Sequence, residues 1–81
     1  MTMFYVYLLR SLNYNQTYVG FSRDVQIRLN HHNEGKSPHT SKYKPWKLVT
    51  YFGFESESRA REFEKYLKTG SGIAFARRHL F

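Results

Sequence analysis

The stretch FYVYLLR, residues 4–10, is apolar at nearly every position, and this pattern decides what kind of sheet the chain builds. Its aromatic, β-branched and leucine side chains favour a strand, and apolar residues on both alternating faces indicate a strand that is covered on both sides. Turn-forming residues follow in SLNYNQ, residues 11–16, and TYVGF, residues 17–21, repeats the strand composition. These two strand segments are predicted to pair as a hairpin.

Three helices and one further strand are predicted after the hairpin. The segment around Pro38 and Pro45 is predicted to be a loop, and TGSG, residues 69–72, is predicted to close the second helix. The element order β-β-α-β-α-α predicts a small α+β fold in one domain, residues 1–81. The predicted helices are 25–33, 57–68 and 73–80, the strand is 46–54, and the candidate helix caps are Ser22 or Asp24 and Ser56 or Ser58.

The charge of the chain is strongly positive and unevenly distributed. Thirteen Lys and Arg residues stand against six Asp and Glu residues, which gives a formal net charge of +7. The segment GKSPHTSKYKPWK, residues 35–47, contains four lysines and no acid, and residues 59–81 contain six Lys or Arg against two Glu. Such an excess suits a nucleic-acid partner, and a well-solvated surface that keeps a small protein soluble is the open alternative.

Some classes of protein are excluded by composition. The chain contains no cysteine, so disulfides and thiolate zinc sites are excluded. The apolar run at residues 4–9 is too short for a signal sequence or a membrane span. We therefore expect a soluble, cytoplasmic protein with no membrane partner.

Two predicted helices carry a charged side chain in the stripe that should face the core. Arg28 and His32 fall in this stripe of the first helix, and Glu64 falls in it within AREFEKYLK, residues 60–68. One interpretation is that Arg28 and Glu64 pair across the core or reach water at the edge of the stripe. The other is that they converge on the sheet beside the strand tyrosines and form a site.

Energetics and chemistry favour a site over a buried ion pair. Replacing a buried pair by apolar residues is often neutral or stabilising by about 1–4 kcal/mol, so a small domain gains little from keeping one. An arginine offers five donors in a fixed geometry that matches phosphate, and a lone carboxylate suits Mg²⁺, which keeps several of its waters. Arg28 and Glu64 together therefore point to phosphoryl chemistry.

Two tyrosine triplets complete a recognisable pattern. YVY at residues 5–7 precedes YVG at residues 18–20, and RLNHH and AREFEKYLK follow in that order. This order and spacing resemble the GIY-YIG nuclease family across nearly the whole chain, and the end KYLKTGSGIAFARRHLF is similar to its short stand-alone bacterial members. The resemblance implies a three-stranded antiparallel sheet flanked by helices. It also implies hydrolysis of a phosphodiester in one displacement, with a single divalent ion, Mg²⁺ or Mn²⁺.

The resemblance also implies a role for each matching residue. Tyr7 would act as the general base for the attacking water, and Tyr18 would orient the water or the scissile phosphate. Arg28 would stabilise charge on the phosphate, and Glu64 would hold the metal. His32 matches a position at which some members keep a histidine.

The chain also departs from the family pattern. The first triplet begins with Tyr5 where the family name has glycine, and valine replaces isoleucine in both triplets. Many catalytic members have an asparagine in the C-terminal part, whereas this chain has none after Asn33. Gly20 is retained and would allow close approach of the backbone.

Three hypotheses for function follow. The first is a metal-dependent endonuclease acting on DNA, on branched, damaged or single-stranded forms in repair or processing. The second is a module that binds nucleic acid without cleaving it, with exposed aromatics such as Tyr43 and Trp46 stacking on bases. The third is a nuclease subunit that depends on a protein partner for specificity. The cations predicted to contact nucleic acid are Lys36, Lys42, Lys44, Lys68, Arg77 and Arg78.

Overall fold

A three-stranded antiparallel sheet forms the centre of the computed structural model, which describes residues 2–81. Its strand order is β2-β1-β3, so the apolar strand that opens the chain lies in the middle. The predicted α+β fold with a three-stranded antiparallel sheet is confirmed. The strands are β1 Phe4–Ser11, β2 Thr17–Ser22 and β3 Trp46–Phe54, and the helices are α1 Val25–Asn33, α2 Pro38–Ser41, α3 Glu57–Leu67 and α4 Gly70–His79.

The central strand separates two cores because successive side chains of a strand point to opposite faces. Val6 and Leu8 pack under α3 and α4, whereas Tyr7 and Leu9 pack with Trp46 on the face covered by α1. All four β1 side chains have 0% of their surface exposed. The sequence predicted that this strand is covered on both sides, and the structure confirms it, because helices pack on both faces of β1.

The two main helices begin and end where local chemistry predicts. Asp24 caps α1 and Ser56 caps α3, and each side chain accepts a hydrogen bond from the third amide that follows. The other candidate cap of α1, Ser22, bonds to the backbone of Asp24 instead. Gly35 follows α1 with a φ of 76°, a left-handed conformation that glycine adopts without strain.

Two sequence expectations about helices are wrong. The segment around Pro38 is not entirely a loop, because Pro38–Ser41 forms the short helix α2. The last helix begins at Gly70 rather than residue 73, since the side chain of Thr69 caps it by accepting a bond from the amide of Gly72 at 3.1 Å. TGSG therefore starts α4 as well as ending α3. Among residues 2–81, no helix has the length and apolar character required to cross a membrane.

A side chain ties the end of α1 to the beginning of β3. The amide nitrogen of Asn33 donates to the carbonyl of Trp46 at 2.9 Å, and its oxygen accepts from the amide of Trp46. Asn33 thus bonds to Trp46 as a neighbouring strand residue would. Residues 34–45, which connect Asn33 to Trp46, contain three of the lysines predicted to contact nucleic acid. Because of these two bonds, the segment begins and ends at the same place in the fold.

Candidate active site

A buried chain of hydrogen bonds links three elements on the α1 face of the sheet. Tyr7 Oη lies 2.9 Å from His32 Nε2, and His32 Nδ1 lies 2.7 Å from Thr40 Oγ1. The Thr40 hydroxyl donates to the carbonyl of Ser37 at 3.4 Å, which leaves its lone pair to accept from His32 Nδ1–H. On this basis we assign the proton of His32 to Nδ1, with the Tyr7 hydroxyl donating to Nε2.

The backbone of β2 leaves room for the tyrosine of this chain. Gly20 pairs with Tyr7 in the sheet register, and the tyrosine ring leans over it. A Cβ at Gly20 would lie 2.8 Å from Cε1 of Tyr7, and nearer still to Cζ and the hydroxyl oxygen. The Tyr7 hydroxyl consequently lies above β2, the strand at one edge of the sheet.

Tyr18 and Arg28 surround the hydrogen-bonded pair. The Tyr18 ring meets His32 edge-on with centroids 4.8 Å apart, and its centroid lies 6.1 Å from that of Tyr7. Both Tyr18 and Arg28 are half-buried, whereas Tyr7 and His32 have no exposed surface. The resemblance thus named four residues that the fold brings together: Tyr7, Tyr18, Arg28 and His32.

Burial controls the protonation of the pair. It raises the pKa of Tyr7 above the ordinary tyrosine value, and the neighbouring guanidinium of Arg28 opposes part of this rise. Burial also lowers the pKa of His32, and the positive charge of Arg28 lowers it further. At neutral pH the pair is therefore a protonated tyrosine hydroxyl bonded to a neutral imidazole.

Glu64 lies on the other face of the sheet, because α3 packs against the Val6 side of β1 and α1 against the Tyr7 side. The expectation that Arg28 and Glu64 converge on one face is therefore wrong. Within residues 2–81 no ion pair joins them, and Glu64 Oε2 instead lies 3.0 Å from Lys68 Nζ. The carboxylate side chain is only 19% exposed.

Glu64 nevertheless faces the edge strand that carries Gly20. Arg61 lies one helical turn before Glu64, and its guanidinium lies 4.1 Å from the ring centroid of Phe21 in β2. Residues at this spacing share one side of a helix, so Glu64 is on the side of α3 that faces β2. Tyr7 and Glu64 thus approach the same strand from opposite faces.

The predicted nucleic-acid cations are divided between two regions. Lys68 is the ion-pair partner of Glu64, and Lys36 lies 3.2 Å from Glu34. The expectation that Trp46 is exposed for stacking is wrong, because it is 4% exposed and its indole donates to the carbonyl of Thr40. Lys36, Lys42 and Lys44 lie between α1 and β3, and Arg77 and Arg78 lie in the last turn of α4.

Thr40 is the site residue that sequence reasoning missed. It comes from α2, eight residues after His32, and is 2% exposed. A threonine in a segment predicted to be a loop carries no periodic signal. The available signal was Ser37 followed by Pro38, because serine before a proline is a common start of a helix.

Comparison with known proteins finds similarity at the level of the family and of the fold. The family model described as the GIY-YIG catalytic domain matches residues 3–73. The chain belongs to the GIY-YIG family. A UPF0213 protein of Bacillus halodurans, solved by solution NMR, is similar in structure with a TM-score of 0.57 and 26% sequence identity, over 94% of this chain and 83% of that one. A comparison with curated proteins finds no match.

Membership in the GIY-YIG family makes nucleic acid the substrate class, and GIY-YIG nucleases generally use divalent metals. Within residues 2–81 no three His, Asp or Glu side chains come together as a ready-made metal cluster. Glu64 instead fits an ion that is bound by a single protein carboxylate and takes its remaining ligands from water and substrate. The ammonium group of Lys68 already places a cation at this carboxylate.

Proposed function

We propose that this protein is a divalent-metal-dependent endonuclease that hydrolyses phosphodiester bonds in DNA, in repair or processing of branched, damaged or single-stranded forms. The observation that carries the proposal is the bond from the Tyr7 hydroxyl to the neutral imidazole of His32. A phenol alone is a poor base for water near neutral pH, because its acidic proton is still in place. A neutral imidazole next to it provides an acceptor for that proton.

The proton transfer follows from the hydrogen bonds. As the attacking water forms its bond to phosphorus, the bond from phosphorus to the leaving ester oxygen breaks, and that oxygen takes a proton from solvent water. The attacking water gives a proton to Tyr7 Oη, and Tyr7 gives its own hydroxyl proton to His32 Nε2. The resulting imidazolium keeps its bond from Nδ1–H to Thr40 Oγ1. Tyr7 and His32 are catalytic residues in this scheme, and Thr40 is a positioning residue.

Arg28 would connect the binding of a phosphate to the exposure of the Tyr7 hydroxyl to water. Its guanidinium lies beside the Tyr7 hydroxyl, which has no exposed surface in this structure. A DNA phosphate that lies across the β2 edge would attract the guanidinium outward and so open the hydroxyl to water. Tyr18, half-buried beside the pair, would then orient the water or the phosphate.

Glu64 is the residue that would hold the divalent ion, Mg²⁺ or Mn²⁺. When bound, the ion would stabilise negative charge on the phosphate oxygens during the displacement. Lys68 must release the carboxylate for this to happen, and an i,i+4 ion pair on a helix contributes only about 0.3–0.5 kcal/mol.

Nicking of supercoiled plasmid DNA tests the proposal. We expect wild-type protein to cut with Mg²⁺ or Mn²⁺ and not with EDTA, and Glu64→Gln to cut at least about 100-fold more slowly. The matched control is Glu62→Gln, which removes an exposed carboxylate from the same helix and should leave the rate unchanged. Cutting by Glu64→Gln at the wild-type rate would contradict the assignment of this residue.

A module that binds nucleic acid without cleaving it is the second candidate. The complete burial of Tyr7 and the ion pair that neutralises Glu64 favour it, since both groups are engaged in this structure. It predicts that wild-type protein binds DNA in EDTA and leaves no nicks in any metal. A domain of 81 residues can make few contacts with bases. A protein partner that supplies specificity is therefore compatible with both candidate functions.

A further inference from the structure

A cavity that no part of the mechanism uses lies on the face of the sheet opposite Tyr7. Its volume is about 740 Å³, and it is formed between the β1–β2 turn, β2 and α4. This volume is within the range of about 300–1,000 Å³ that small-molecule sites occupy. Arg10 and Arg77 line it, and none of its lining residues is an Asp or a Glu. The side chains that line the cavity therefore carry a net positive charge.

Both arginines are available to an anion. Within residues 2–81 neither forms an ion pair with a carboxylate, because the acidic partners are Glu34, Glu57 and Glu64, and these bind other cations. The guanidinium of Arg10 lies 5.6 Å from the ring centroid of Phe81, which lines the same cavity and orients it. Two guanidinium groups without a carboxylate partner, one of them oriented by Phe81, match a phosphate.

The same cavity offers a surface for a base. Tyr14 lines it and is 52% exposed, and its ring meets Tyr43 edge-on with centroids 5.5 Å apart. This contact supports the ring while leaving much of its surface open to solvent. Asn15 and Gln16 follow in the turn and line the cavity with amide groups that can bond to the edges of a base.

The cavity adjoins the strand that carries the candidate active site. Val19 lines it and directly precedes Gly20, over which the Tyr7 ring lies. Leu67 also lines it and follows Glu64 by three residues on α3. A strand that crosses the edge at β2 would therefore pass from the Tyr7 side of the sheet to the mouth of this cavity.

We propose that this cavity binds a nucleotide of a single-stranded segment that flanks the cleaved phosphodiester. Arg10 and Arg77 hold its phosphate, and Tyr14 stacks on its base. The flanking position rests on the proposed function, whereas binding of the single strand does not require cleavage.

Binding of an oligothymidylate of about eight nucleotides in EDTA, followed by fluorescence anisotropy, tests the proposal. We expect Arg10→Gln and Arg77→Gln together to weaken binding about tenfold, and each to reduce the salt-dependence slope by about 0.7. Arg59→Gln removes one exposed charge from α3, away from the cavity, and should change neither quantity appreciably. Arg77 is exposed, so its single variant remains informative even if loss of the Arg10 contact loosens the chain end.

Amide chemical shifts locate the contact and separate its possible sources. We expect the oligothymidylate to shift the amides of residues 14–19 and 73–77, and thymidine monophosphate to shift the same set more weakly. Equal saturation by inorganic phosphate alone would overturn the proposal, because it would show an anion site without a base. Shifts confined to the α1 face, or arginine variants that bind like Arg59→Gln, would overturn it as well.

Failure of this proposal is distinguishable from failure of the proposed function. If Glu64→Gln abolishes cleavage while the arginine variants bind and cut normally, the endonuclease stands and the cavity has no role. If the arginine variants lose binding while wild-type protein never cuts, the cavity stands and the endonuclease is wrong.

Discussion

The two faces of the sheet share one strand but are built differently. On the α3 and α4 face, β1 contributes Val6 and Leu8 to an apolar core with Ala60, Leu67 and Ala76. On the α1 face, Tyr7 from the same strand is equally buried but is bonded to His32. The comparison shows that alternate residues of one strand can be equally buried and yet differ in their contacts, which are apolar for Val6 and Leu8 and polar for Tyr7.

The α1 face contains polar atoms without leaving them unpaired. Within residues 2–81, every buried side-chain nitrogen or oxygen has a hydrogen-bond partner. An unpaired buried polar group would lower the free energy of unfolding by about 1–3 kcal/mol. Complete pairing therefore limits how far the buried polar residues destabilise the fold. The network also holds the rings of Tyr7 and His32 in one arrangement before any substrate binds.

The largest contrast is expected between Tyr7→Phe and Leu8→Ala, neighbours in β1 that face opposite cores. Tyr7→Phe removes the hydroxyl and should slow DNA cleavage about 100-fold or more. It should lower the free energy of unfolding by about 1–3 kcal/mol, because His32 Nε2 loses its buried partner. Leu8→Ala should lower the free energy of unfolding by about 2–5 kcal/mol and leave the activity of the folded fraction intact. Urea unfolding and plasmid nicking measure the two quantities.

Either of two results would contradict the expected contrast between these variants. If Tyr7→Phe cuts at the wild-type rate, the hydroxyl takes no part in proton transfer. If Leu8→Ala instead abolishes cleavage in protein that is still folded, the two faces are not separable.

A methyl group at Gly20 should damage the α1 face selectively. Gly20→Ala places a Cβ against the Tyr7 ring, so we expect a loss of about 1–3 kcal/mol in the free energy of unfolding and displaced NMR signals for Tyr7 and His32. Gly70→Ala is the control, because a Cβ there has no atom within 4 Å, and it should be neutral or slightly stabilising. Equal effects of the two variants would contradict the close contact.

Acid should destabilise the protein through His32. Because burial lowers the pKa of this imidazole in the folded state, the unfolded chain binds the proton more readily. The stabilisation is complete above the unfolded pKa of about 6.5 and is lost below it as the pH falls through the lowered pKa, by at most about 1.4 kcal/mol per pH unit. Urea unfolding between these limits should show a weaker pH dependence for His32→Gln.

The smallest expected effect concerns the ion pair on the opposite face. Lys68→Gln should lower the free energy of unfolding by only about 0.3–0.5 kcal/mol, since this is an i,i+4 pair on one helix whose lysine is 54% exposed. Because the variant frees the Glu64 carboxylate, Mn²⁺ should broaden NMR signals of α3 at lower concentration than in wild-type protein. Unchanged Mn²⁺ binding would show that Lys68 does not compete with a metal.

Much of the fold could be predicted from the sequence because local chemistry determines it. Both ends of α1 follow from Asp24 and Gly35, and the three strands follow from apolar runs between turn residues. The start of α4 was missed because TGSG contains two signals. Its glycines indicate the end of a helix, whereas Thr69 acts as the cap of the next one.

The candidate site was only partly predictable, and the reason is topological. Helical spacing shows that Arg28 and Glu64 point inward, but it does not show which face of the sheet each helix covers. A β1 strand that is apolar on both faces gives no further information. Thr40 could not be found either, because its contact with His32 depends on the path of the chain through α2.

The bonds between Asn33 and Trp46 have a consequence for how new specificity can be introduced. They close residues 34–45 into a loop whose ends are fixed independently of its length. Loop-closure entropy grows slowly, by about 0.6 kcal/mol for each doubling of length. The exposed position Lys42 is therefore a place where a guest segment that selects a substrate could be inserted while the loop ends stay fixed.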